Sequence, residues 1–109
     1  MHYQIHPEVE MIDLEEIATY IARSNPRAAD EVVGVITGMY DVLASQPQMG
    51  TEYHPLRWTL EGIRMITVTE YPNYLIYYRP LPENAGVRIL YVLHGARDAA
   101  AFAKEHQRQ

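Results

Sequence analysis

Three β-prone runs in the second half of the chain constrain its fold more than any other feature. They are Ile63–Thr69, Tyr74–Arg79 and Val87–Leu93, and the stretches between them are short and turn-rich. The first connection holds Tyr71, Pro72 and Asn73; the second runs from Pro80 to Gly86 with two prolines and a glycine. A parallel neighbour needs a crossover of a dozen or more residues, so connections this short predict an antiparallel meander. In the second and third runs both alternating sets of side chains are apolar or aromatic. A sheet with one wet face alternates polar with apolar, so both faces of this sheet are expected to be covered.

The first half reads as helix. His2–His6 is a short candidate strand, and Pro7 sits where a first helical residue belongs, with Glu8 and Glu10 near the positive end of the dipole. Leu14, Ile17, Ala18 and Ile21 recur at helical spacing, with Asp13, Glu15 and Glu16 expected on the polar side, in a helix ending near Arg23. Asn25 is a fitting cap with Pro26 just inside a second helix. Its stripe is Ala29, Val32, Val33, Ile36, Tyr40 and Leu43, and it stops before Pro47. The short connection makes the pair an antiparallel hairpin. Residues 47–62 read as loop, and Asp98 to about His106 is compatible with a short C-terminal helix. The expected class is α+β, in the order β-α-α-β-β-β, as one domain over residues 1–109.

Composition narrows the function. The net charge of −5 is split: residues 1–54 hold two arginines against nine carboxylates, and residues 55–109 hold seven cations against five. An acidic chain opposes tight non-specific nucleic-acid binding, and near-absence of lysine favours directed, bidentate arginine contacts to a protein partner. There is no cysteine, so neither disulfide nor thiolate zinc site arises. No apolar run approaches the length of a membrane span, and the N-terminus lacks a signal-peptide pattern, so a cytoplasmic protein is expected. His2 and His6 share a strand face without a metal-binding motif. The two serines, Ser24 and Ser45, sit at helix ends where capping explains them. Neither metal nor cofactor is expected.

The segment Arg88–Asp98 ends a buried strand at His94 and Gly95, with Arg97 and Asp98 just beyond. Its bland reading is a strand end whose polar groups satisfy loose backbone. One enzymatic scheme suits the residues: metal-free RNA cleavage, with His94 as acid or base and Arg64, Arg79 and Arg97 on the phosphate. Glu61 and Tyr78 would assist.

The ordered pieces Asp13–Ala22, Asn25–Ala29, Leu43–Gly50, Gly62–Arg64, Tyr74–Arg79 and Val92–Asp98 together resemble the RelE/ParE superfamily of bacterial type II toxins. The likeness covers essentially the whole chain and is greatest to the ParE branch, chiefly through the ending Leu93-His94-Gly95-Ala96-Arg97-Asp98. The resemblance implies a toxin held inactive by a cognate antitoxin whose tail wraps it in a hetero-oligomer. ParE members are described as inhibitors of DNA gyrase, and RelE members as ribosome-dependent mRNA endonucleases. Cutters of the RelE kind typically carry several basic residues on the sheet and a tyrosine or histidine near the C-terminus. Here the sheet has no lysine, and the tail offers Phe102 and His106 but no tyrosine, which favours the gyrase branch and no direct nucleic-acid binding. The alternatives are an endonuclease that needs His94, Arg64 and Arg97, and an inactive relative that only binds antitoxin. Partner contacts are expected at Arg64, Tyr78, Arg79, His94 and Arg97, through charge-assisted hydrogen bonds and aromatic area.

Overall fold

The computed structural model describes residues 2–53 and 62–95. The elements run β1 (Tyr3–Ile5), a π-helical turn (Val9–Leu14) leading into α1 (Glu15–Ala22), α2 (Pro26–Ser45), β2 (Thr51–Glu52), β3 (Arg64–Val68), β4 (Tyr71–Pro80) and β5 (Val87–His94). The sheet order is β1-β5-β4-β3-β2. β1 lies parallel to β5 and every other pair is antiparallel. This is the α+β hairpin-on-sheet arrangement expected, with one added short strand, β2, inside the stretch read as loop.

Local chemistry sets the boundaries. The chain enters the helical segment through His6, whose Nδ1 accepts from the Glu8 N–H at 3.2 Å. Asn25 caps α2 by accepting from the Ala28 N–H at 3.1 Å, with Pro26 at the first turn, where its missing N–H costs nothing. β4 begins three residues earlier than the sequence suggested. Thr67 faces Leu75 but Val68 faces Tyr71, so Pro72–Tyr74 arch out of the β3 ladder, which spares Pro72 a donor it lacks.

A second irregularity explains the doubly apolar strands. Tyr77 pairs with Tyr91 and Tyr78 with Ile89, leaving Leu90 as a bulge. The bulge sets Leu90 and Tyr91 on one face together with Tyr77. Ile76, Tyr78, Ile89 and Val92 face the helices, packed with Ile17, Val32, Ile36, Tyr40 and Leu43. The opposite face carries Ile63, Tyr77, Leu90 and Tyr91, with Tyr53, Met65, Leu75 and Leu93 packed against them. Both faces are buried, as the sequence pattern required.

Asp13 corrects one reading. It was expected on the polar side of the first helix but is buried, and its Oδ2 accepts the Val92 N–H at 2.9 Å. The π turn rotates the chain relative to an α-helical register and turns Asp13 inward. β1 pairs with β5 only as far as Ile89, so the carboxylate takes the place a longer edge strand would occupy. Gly86 holds the other end of this junction. Its φ is 111°, and a Cβ there would overlap the His2 carbonyl, which accepts from the Val87 N–H at 3.3 Å.

Candidate functional site

The residues singled out from sequence divide between two ends and two faces of the sheet. Arg64 opens β3 opposite Tyr78, on the helix side. Its guanidinium donates to the Gly50 carbonyl at 2.7 Å and to Gln48 Oε1 at 2.6 Å, and approaches Glu52 at 3.9 Å. With only 15% of its side chain exposed, Arg64 is committed to holding the 47–52 segment. Both strong contacts run to the same short stretch of chain, so the fork of the guanidinium is used as a clamp.

Tyr78, expected from the sequence at a partner contact, is the other half of that clamp. The side chain is fully buried. Its hydroxyl donates to the Pro47 carbonyl at 2.9 Å and accepts from the Gly50 N–H at 2.8 Å. Gly50 has no Cβ for a reason: one would sit 2.7 Å from the Tyr78 hydroxyl oxygen and 2.9 Å from the Met65 carbonyl oxygen. Burial pushes the Tyr78 hydroxyl pKa up, opposed by the Gly50 hydrogen bond and the Arg64 charge. The residue positions the loop beside Arg64.

Arg79 behaves differently. One residue on from Tyr78, it lies on the second face, directly across from Arg88 on β5. Arg88 donates to Gln4 Oε1 at 3.2 Å. Arg79 has neither hydrogen bond nor ion pair among the described residues; its aliphatic stem passes close to Gly62, which takes a φ of 83° that favours glycine. Arg64, Arg79, Gly62, Ile63, Gln48, Glu52 and Pro80 border a cleft of about 290 Å³ at this end of the sheet. The sequence named both arginines by type, but only the fold separates the one already bound from the one that is not.

His94 closes β5 at the opposite end. It faces Tyr74, with ring centroids 5.2 Å apart in an edge-to-face contact. Between Tyr74 and Tyr78 the sheet extends roughly 13 Å along β4, and two strand spacings add about 10 Å across it. Arg64 and His94 therefore do not converge on a point where one phosphate would sit. Arg97, Glu61 and the stretch from Asp98 to His106 lie outside the described residues. Among the described residues, no three His, Asp or Glu side chains cluster to hold a metal ion, and no helix is long and apolar enough to cross a membrane.

The second face carries an aromatic ladder, in keeping with the apolar and aromatic strand pattern of the sequence. Tyr53 meets Tyr77 at 5.0 Å and Tyr77 meets Tyr91 at 6.3 Å, both edge to face. Burial, and then the neighbouring Tyr53, push the Tyr77 hydroxyl up to about 12.

A helical hairpin laid on a mainly antiparallel five-stranded sheet, with arginines at one end, has a counterpart among known families. The chain is a toxin of a type II toxin–antitoxin system. Within that class it belongs to the ParE family: the model of the ParE toxin of the parDE type II system matches residues 3–99. No curated protein matches the chain. Membership in this family implies a cognate antitoxin as partner.

Proposed function

We propose that this chain acts as a ParE-like toxin in the cytoplasm, inhibiting DNA gyrase by binding it without chemistry and released from that role when its antitoxin covers it. The observation that carries the non-enzymatic reading is the commitment of Arg64. A phosphate-binding arginine must be available to substrate, whereas this one spends its fork on Gly50 and Gln48. The separation of Arg64 from His94 supports the same reading, since general acid–base cleavage needs base, acid and cation within hydrogen-bond reach of one reacting group. The acidic balance of the chain, and an Arg79 guanidinium with neither hydrogen bond nor ion pair among the described residues, suit a protein partner better than a polyanion.

The test is gyrase supercoiling of a relaxed plasmid with the chain titrated in, with and without the product of the neighbouring antitoxin gene. Inhibition relieved by that product is the expected result. Lack of inhibition by folded protein, together with ribosome-stimulated mRNA cutting, would overturn it in favour of the endonuclease.

A further inference from the structure

We infer that Arg79 is the anchor for a carboxylate side chain of the antitoxin, received in the cleft at the Arg64 end of the sheet. This rests on the reading of the chain as a toxin neutralised by a protein partner. Arg79 and Arg88 are directly opposed across β4 and β5, an arrangement in which like charges repel. Proteins ordinarily relieve such a pair with a neighbouring acid, yet no hydrogen bond or ion pair reaches the Arg79 guanidinium among the described residues. The residue is half-buried, so it has lost part of its hydration without gaining an acceptor among the described residues. A bound carboxylate would supply the acceptor and lower the repulsion in one step.

The cleft defines the kind of acid. Its volume of about 290 Å³ suits a side chain and its immediate backbone. Ile63 and Pro80 add apolar surface to its lining. Glu52 stands close to Arg64 and offsets that charge, so among the residues that line the cleft Arg79 is the one surplus cation. One surplus charge matches a single carboxylate. A nucleic-acid backbone brings a phosphate at every step, and in a chain of net charge −5 with Glu52 in the wall it would meet repulsion instead. An acidic residue of a peptide segment, flanked by an apolar one, is the occupant that fits.

A residue kept for a partner has a signature that a structural residue lacks: removing it weakens binding while leaving the free fold as stable or more so. The experiment measures antitoxin affinity and the thermal midpoint of the free chain for wild type, Arg79→Gln and Arg79→Glu, with Arg27→Gln as a charge-loss control on α2. Each Asp and Glu of the antitoxin is also changed to Lys and tested against Arg79→Glu. Arg79→Gln is expected to bind roughly ten- to a hundredfold more weakly, with an unchanged or raised midpoint. Arg79→Glu weakens binding further, and one acid-to-lysine change in the antitoxin recovers at least about tenfold of the loss. Arg27→Gln stays within about twofold of wild type. Unchanged affinity of Arg79→Gln for an antitoxin that wild type binds overturns the inference and leaves the toxin reading standing. So does the lack of any rescuing swap, or a lowered midpoint accompanying the weaker binding. Arg79-dependent capture of a single-stranded oligoribonucleotide, with antitoxin affinity unaffected, reassigns the cleft to phosphate. Failure of wild type to bind the antitoxin at all overturns both readings.

Discussion

Two buried tyrosine hydroxyls in the helix-side core respond oppositely to removal of one oxygen. Tyr40 of α2 is buried, its ring 5.5 Å from that of Tyr3 on β1, and its hydroxyl finds no hydrogen-bond partner among the described residues. Burial, and after it the charges of Asp13 and Glu10, push its pKa upward, so the group is locked neutral and unpaired. Tyr40→Phe removes that unsatisfied oxygen and is expected to raise stability by about 1 kcal/mol in urea unfolding. Tyr78→Phe deletes two hydrogen bonds and strands the Gly50 N–H, and is expected to cost roughly 1–3 kcal/mol. A pH series reads the second face. Tyr77 ionises near 12 in the fold and near 10 in the unfolded chain, so between those values the unfolded state loses its proton first. Stability is therefore full below about pH 10 and declines toward pH 12, and Tyr77→Phe should flatten part of that decline. An identical slope in the variant would contradict it. The sequence named Tyr78, Arg64 and Arg79 by chemical type, but their states were hidden from it. The acceptors of Arg64 lie 14 and 16 residues upstream, a separation about which local pattern says nothing.

Elements were more legible than contacts, because propensity and capping act over a few residues. Asn25 and Pro26 mark the start of α2, and Pro47 lies just beyond its end at Ser45. The apolar run Val87–Leu93 marks β5, which runs one residue further to His94. What failed was whatever depends on a ladder partner. β2 has two residues, exists only because β3 pairs with it, and leaves too little pattern to detect. The π turn likewise left no periodic trace, and Asp13 was assigned to the wrong side for that reason. The two ends of the β1–β5 junction supply a test at this scale. Asp13→Ala deprives the Val92 N–H of its charged acceptor and is expected to cost about 1.5–3 kcal/mol, with faster exchange of that amide. Asp13→Asn keeps an acceptor and should cost less. Gly86→Ala forces a methyl group against the His2 carbonyl at a backbone angle alanine resists, so β1 is expected to detach, with a loss of more than about 1 kcal/mol. Preserved protection of the β1 amides in Gly86→Ala would refute that account of the glycine.

At the scale of the whole molecule, the sheet separates two kinds of chemistry that a catalytic site would have to unite. One end holds the Arg64 clamp and the open Arg79 cleft; the other ends in His94 against Tyr74. The helix-side core runs between them without a break, through Ile76, Tyr78, Ile89 and Val92. Moving His94 to the Arg64 end would mean repacking that core, which close-packed interiors resist. Binding and catalysis therefore predict different penalties for one substitution. A general acid or base contributes about a hundred- to ten-thousandfold to rate, so an enzyme that used His94 would be nearly silent as His94→Gln. A binding surface loses only the local contact when one residue at its margin changes, and most such residues cost less than about 1 kcal/mol. For the non-enzymatic toxin, His94→Gln is thus expected to shift the gyrase-inhibiting concentration by less than about tenfold, with the antitoxin still relieving it. A loss of a hundredfold or more in a variant of unchanged thermal midpoint would mean that His94 does chemistry. The long span of sheet between it and Arg64 would then have to be read as the two edges of a substrate-binding surface.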